Sequence, residues 1–285
     1  MSTIQHKELK LNDGTKITMN VEIYGSAQEV VSHCRSRKIT DSSFDDMEHK
    51  KLSDDWNGVK SYNDALDLLK NGYQPTVEKL GEALKFNTKG IEKRVKFENN
   101  IHGFAPVVPL ALKGVPNSMV DMTMKSIKCK VIDVYYDMTT SCETTVEEII
   151  ENGQKIFGAI IALEKQGYRF NLFAVQSYTR DYKGDMLCVK IKSSDKPLDL
   201  KRMSFPLTHP AFFRVIGFDW YSKCPVAKYR SCYGNALAYD LSSEERLEFG
   251  KKMFGQGAVY LSIKNVNKET DESLKEVFTN AESKN

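Results

Sequence analysis

From Cys129 to Lys192 the spacing of apolar residues changes twice. Lys128-Cys-Lys-Val-Ile-Asp-Val-Tyr-Tyr136 is rich in β-branched and aromatic residues, which predicts a strand. The period then lengthens. Val146, Ile149, Ile150, Ile156, Phe157, Ile160, Ile161 and Leu163 fall on one face of a helix. Thr144 with Glu147 reads as the capping box at its start, and Glu147, Glu148 and Glu151 suit the positive end of the dipole. Gly153 falls on the apolar face, where it allows close approach to a sheet, and Gly167 sits where a left-handed residue ends a helix. Phe170 to Val175 is a nearly continuous apolar run, as in a strand covered on both faces. Leu187 to Ile191 is its expected neighbour, reached through the turn Arg180 to Asp185. Strand, helix and strand make a right-handed crossover unit. Ligands of such sheets bind beyond the carboxyl ends of the strands, which is where Asp137-Met-Thr-Thr-Ser141 lies.

The flanks are more local in character. Residues 7–24 alternate around Asp13-Gly14 and predict a hairpin. Ser26 is placed to cap a helix over 27–37, and the mixed charges of 38–55 predict a surface loop. Ser61 caps a strip of Ala65, Leu66, Leu68 and Leu69, and a second helix over 76–86 completes a helical hairpin. Trp56 precedes this hairpin, either packing it onto the second half or anchoring a partner. Three prolines in Gly103 to Pro116 exclude a helix and predict an extended connector lying against the core. Pro210 suits a helix first turn, with Phe212, Phe213, Val215, Ile216 and Trp220 buried behind it. Residues 257–264 read as a late strand and 271–281 as a closing helix.

Composition narrows the function classes. With 41 basic and 38 acidic residues the net charge of +3 makes no electrostatic case for nucleic acid or an anionic membrane. A mildly basic stretch does run through Lys183, Lys190, Lys192, Lys196, Lys201 and Arg202, near Tyr178 and Tyr182. It supports a nucleic-acid-associated alternative, and Lys190, Lys192, Lys201 and Arg202 are its candidate contacts. No apolar run reaches the roughly 20 residues of a membrane helix, and no apolar signal core opens the chain, so the expectation is cytoplasmic with no membrane partner. The six cysteines include no Cys-x-x-Cys pair and are expected reduced. There is no phosphate-binding Gly-x-x-x-x-Gly-Lys run, no Gly-x-Ser-x-Gly elbow and no His-Glu-x-x-His.

Asp137-x-Thr139-x-Ser141 after a hydrophobic strand resembles the metal-ion-dependent adhesion site of von Willebrand factor A domains. Leu163 to Phe173 resembles the second-strand entry of the cobaltochelatase-type members, and Tyr233 to Asp240 resembles their next motif. Trp56-Asn-Gly, Ala65-Leu, Gly114 to Met119, Pro197 to Leu200 and His209-Pro-Ala together resemble a family of phage-encoded proteins without an assigned activity. The resemblance implies an α/β fold. A von Willebrand A-like (Rossmann-type), mostly parallel sheet with flanking helices would span 125–285. A smaller N-terminal α+β region over 1–124, with the helical hairpin and the proline-rich connector, would precede it. Asp137, Thr139 and Ser141 would offer oxygen ligands to magnesium or manganese. The later strand reads Ser262-Ile-Lys-Asn265 where the pattern has Ser-Asp-Gly, so the second carboxylate is missing and the site is degenerate. Read from the residues alone, Asp137 and Thr139 satisfy loop amides while Ser141 or Thr144 caps the helix. The expected function is a non-enzymatic protein-binding module, phage or mobile-element encoded, acting on a host or viral protein in the host cytoplasm. Trp56 is a candidate contact. A metal-dependent hydrolase around Asp137 is a third reading.

Overall fold

The computed structural model describes residues 3–39, 46–85, 95–124, 130–223, 235–237, 241–266 and 271–280. Cys129 and most of the motif Tyr233 to Asp240 lie outside them. Strand β1 (Thr3–Lys10) turns at Asp13-Gly14, with Gly14 at φ +95°, into β2 (Lys16–Tyr24). Helix α1 (Ala27–Arg35) follows, its first turn capped by the Ser26 hydroxyl. A short α2 (Asp54–Asn57) precedes the hairpin of α3 (Tyr62–Asn71) and α4 (Gln74–Lys85). Then come β3 (Val95–Asn100), β4 (Ala105–Pro106), α5 (Val108–Leu112) and β5 (Met119–Met124). The predicted core unit is β6 (Lys130–Asp137), α6 (Val146–Lys165), β7 (Tyr168–Arg180) and β8 (Lys183–Lys192). Helix α7 (Leu200–Thr208) runs through a π-helical turn (Phe212–Gly217) into α8 (Phe218–Lys223). The chain closes with β9 (Asn235–Ala236), α9 (Ser243–Phe254), β10 (Val259–Ser262), α10 (Ile263–Val266) and α11 (Asp271–Asn280).

The main sheet has the order β1-β2-β8-β7-β6-β10, with β9 added to the far end of β7. Along that path β2–β8, β7–β6 and β6–β10 are parallel, and β1–β2 and β8–β7 are antiparallel. The fold is therefore mixed α/β with a mostly parallel sheet flanked by helices. Side chains alternate between two cores, as the pleat requires. Val134, Tyr136, Leu172, Ala174 and Val189 face α1, α6, α7 and α8. Tyr135, Phe173, Val175, Met186 and Tyr260 face α9 through Phe249 and Met253.

The sheet crosses the boundary expected near residue 125. Strand β2 pairs with β8 in parallel, Tyr24 opposite Val189, so the N-terminal hairpin is an edge of the main sheet. A buried carboxylate holds that edge. Glu22 pairs with Arg37 at 2.7 Å and accepts the Trp220 indole N–H at 2.5 Å. Burial pushes its pKa up, and the hydrogen bonds from Arg37 and Trp220 outweigh that and hold it below the ordinary glutamate value.

Several local expectations change. Helix α6 is capped one residue later than its spacing suggests. Thr145 and Glu148 form the capping box, while the Thr144 hydroxyl bonds Thr140 at 2.6 Å. Gly153 meets another helix rather than the sheet, for a Cβ there would lie 2.2 Å from the Leu207 carbonyl oxygen on α7. Residues 38–55 are not all surface, since Met47 and Leu52 are buried. The proline-rich segment does contain a helix. Pro109 occupies the first turn of α5, where a missing N–H costs nothing. Nor does that segment lie against the core, because no residue from 97 to 121 is buried.

Candidate functional site

Asp137 ends β6, the strand between β7 and β10, and is completely buried. Its Oδ1 accepts the Thr139 amide at 2.9 Å. Its Oδ2 accepts the Tyr260 hydroxyl at 2.5 Å and the Ser177 hydroxyl. Thr139, also buried, accepts the Ser177 amide on its own hydroxyl at 2.8 Å, and Ser177 in turn accepts the Leu237 amide at 3.3 Å. One carboxylate thus ties β6 to β7 and β10, and through Ser177 to the end of β9. Burial raises the Asp137 pKa, with the bonds from Ser177, Tyr260 and Thr139 pulling the other way without cancelling it. Burial and the neighbouring Asp137 push the Tyr260 phenol well above its usual range.

These residues do not fit an open cation site. Both Asp137 oxygens and the Thr139 hydroxyl already accept from protein donors, and Ser141 accepts the Glu143 amide at 3.3 Å. Among the described residues no three His, Cys, Asp or Glu side chains gather as ligands. The residue-level alternative fares better in part: Asp137 and Thr139 do satisfy amides, but Thr145 is the helix cap. Ser177 and Tyr260 were missed by sequence reasoning. No local pattern marks them, since Ser177 stands among Gln176, Tyr178 and Thr179 and Tyr260 reads as an ordinary strand aromatic. Asp137→Ala would strand the Thr139 amide and two hydroxyls in a buried place, a loss of about 3 kcal/mol. Thermal melts should record that loss, and magnesium or EDTA should leave the native melting temperature unchanged. A magnesium-dependent rise that the variant lacks would restore the metal reading.

Above this loop, Trp56 on α2 donates its indole N–H to the Cys142 carbonyl at 3.1 Å. The Arg214 guanidinium lies 4.5 Å from the Trp56 ring centre and donates to the carbonyls of Trp56 (2.5 Å) and Thr144 (2.7 Å). Burial lowers the Arg214 pKa to about 10, which leaves it charged at neutral pH. Trp56 is half-buried and also packs on Phe218, so it joins α2 to the loop before α6 and to α8. The next segment is seated on α6 and α7. Lys79 donates to Gln154 at 2.6 Å, and the Thr76 and Thr208 hydroxyls meet at 3.1 Å.

The basic residues divide. Lys201 and Arg202 are exposed at the start of α7, and Lys190 is half-buried at the end of β8. Lys192 is buried and paired with Glu164 of α6 at 2.6 Å, so it belongs to the interior. The aromatics do not join them. Tyr178 is buried against Tyr221 and Phe218, and Tyr182 lies in the β7–β8 turn, roughly 25 Å along β8 from Lys190. No helix among the described residues is long and apolar enough to cross a membrane.

Comparison with curated proteins and with solved structures finds no match. The model of a domain of unknown function, DUF7192, matches residues 10–281, across both the N-terminal hairpin and the Asp137 unit. The chain belongs to the DUF7192 family.

Proposed function

We propose that this protein is a non-enzymatic protein-binding module whose contact surface is the small sheet β3-β5-β4 together with α5. The observation that carries this reading is the lack of any buried residue between 97 and 121 in a segment rich in large apolar side chains. Phe97, Phe104 and Leu112 are 62%, 65% and 84% exposed, and Ile101, Val108 and Val115 are exposed beside them. The Phe97 and Phe104 rings meet edge to face at 6.2 Å, forming an aromatic pair open to solvent. Water-exposed apolar side chains concentrated in one segment mark a contact surface rather than ordinary surface scatter. Aromatic anchors of this kind supply most of the energy at protein interfaces. Among the described residues the small sheet pairs with no strand of the main sheet, and β3 and β4 are its edges. A partner strand can add to such an edge.

On this reading the parallel core β7-β6-β10 with α6 is a von Willebrand A-like unit whose Asp137 has turned inward. Contact with the partner is then apolar and direct instead of bridged by an ion. The test is affinity capture with the native chain and a Phe97→Ser/Phe104→Ser/Leu112→Ser variant. The resemblance to phage-encoded proteins makes a lysate of infected bacteria the first to try, for a host or viral partner. The variant should retain its melting temperature and recover at least about tenfold less of the captured protein, equivalent to about 1.4 kcal/mol. Equal recovery by both proteins would overturn the proposal. Loss of self-association in the variant, measured by sedimentation, would identify the partner as a second copy.

A further inference from the structure

On the α9 side of the main sheet, the side chains of β8, β7 and β6 stand in rows set by the strand register. Cys188, Val175 and Asp137 form a buried row. Toward the start of β6 the cover thins. Lys190, Phe173 and Tyr135 in the next row are half-buried, and so are Asn171 and Asp133 in the row after. Val131, beyond them, is 53% exposed. At the same level the opposite face is sealed, with Ile132, Phe170, Leu172, Val189 and Ile191 buried in the helix-covered core. Strands β7, β6 and β10 are parallel neighbours, and parallel strands are ordinarily covered on both faces.

An aromatic stripe crosses the thinly covered half. Phe254, at the end of α9, stacks on Tyr135 with ring centres 3.6 Å apart, and Tyr135 stacks on Phe173 at 4.5 Å. The Lys190 ammonium lies 5.8 Å from the Phe173 ring centre. In the next row Asp133 accepts the Asn171 side-chain amide at 2.7 Å. Among the described residues no carboxylate pairs with Lys190 and no cation pairs with Asp133.

We propose that this half of the sheet face docks a second copy of the chain, sheet against sheet across a two-fold axis over β7. Charge selects that occupant. Lys190 and Asp133 lie on the strands either side of β7, one of each sign, so the patch is complementary to itself. A two-fold axis over β7 sets each Lys190 against Asp133 of the second copy, and the same operation makes the reciprocal pair. Phe173 and Tyr135 lie between the two pairs and supply the central aromatic anchors of the contact. The surface is separate from the exposed β3-β5-β4 sheet and stands or falls without it.

Sedimentation of the full chain over a concentration series tests it. The chain should dimerise with a Kd at or below about 10 μM. Lys190→Glu sets two like-charged pairs across the axis, and Asp133→Lys does the same with the other sign. Each variant alone should dimerise about tenfold more weakly or worse. An equimolar mixture of the two should regain the native affinity, because the mixed dimer has both pairs of opposite sign. Recovery on mixing also shows that both variants are folded. The Phe97→Ser/Phe104→Ser/Leu112→Ser variant should dimerise like the native chain. A native monomer at every concentration up to about 100 μM overturns the proposal. So does native affinity in either single variant, or no recovery in the mixture. Dimerisation lost in the triple variant and kept in Lys190→Glu overturns it in favour of self-association through the β3-β5-β4 sheet.

Discussion

Lys192→Met should lower the melting temperature by about 10 °C, although the residue sits in a mildly basic stretch of the chain. Its ammonium group is 2.6 Å from Glu164, and the two side chains are 2% and 7% exposed. It also donates to the carbonyls of Phe170 and Ser193. Removing it leaves a buried carboxylate whose remaining cation, Arg169, stands 4.0 Å away. Breaking one side of a buried pair costs about 3–5 kcal/mol, and a chain of this size loses about 2–4 °C per kcal/mol. A Lys192→Met/Glu164→Leu double variant should recover much of the loss, because no uncompensated charge remains. The exposed Arg202→Gln should melt with the native protein. Thermal denaturation of the four proteins checks all three statements. A single variant within about 2 °C of native would place Lys192 at the surface after all.

Gly153→Val should be of similar severity. The built Cβ would lie 2.2 Å from the Leu207 carbonyl oxygen and 2.6 Å from the Thr208 Cα. Both are backbone atoms, so no side chain can swing away. Helix α6 must separate from α7, and the buried contacts Thr76–Thr208 and Gln154–Thr76 go with it. Overpacking of this kind costs about 3 kcal/mol or more. Gly158 provides the control, since a Cβ there meets nothing within 4 Å. Gly158→Ala should stabilise slightly, as alanine favours the helix. Equal melting temperatures for the Gly153→Val variant and the native protein would mean that α6 and α7 do not touch at this point.

The strand-helix-strand unit was legible because periodicity is a local signal, and β6, α6, β7 and β8 all appear near their predicted places. What sequence reading lost was decided by contacts between distant residues. The pairing of β2 with β8 joins positions too far apart for any pattern of alternation to show. At the start of α6 two adjacent threonines precede two adjacent glutamates, so two capping boxes fit by spacing and only hydroxyl geometry selects Thr145. Lys192 read as surface because its counter-charge, Glu164, lies on another element. The proline-rich segment read as covered because its apolar content argued for burial, and the fold leaves it bare. In the candidate site Asp137 and Thr139 were found by their motif. Ser177 and Tyr260 carry no motif and were placed beside them by the sheet register.

The central claim is that the bare segment around α5 is where a partner protein docks. A photo-crosslinking phenylalanine derivative in place of Leu112, the most exposed apolar residue of that segment, tests it most directly. The control is the same group in place of Leu247, an exposed apolar residue on α9. The account predicts a discrete protein adduct from position 112 that position 247 does not give. No adduct at 112, or the same adduct from both positions, would contradict it.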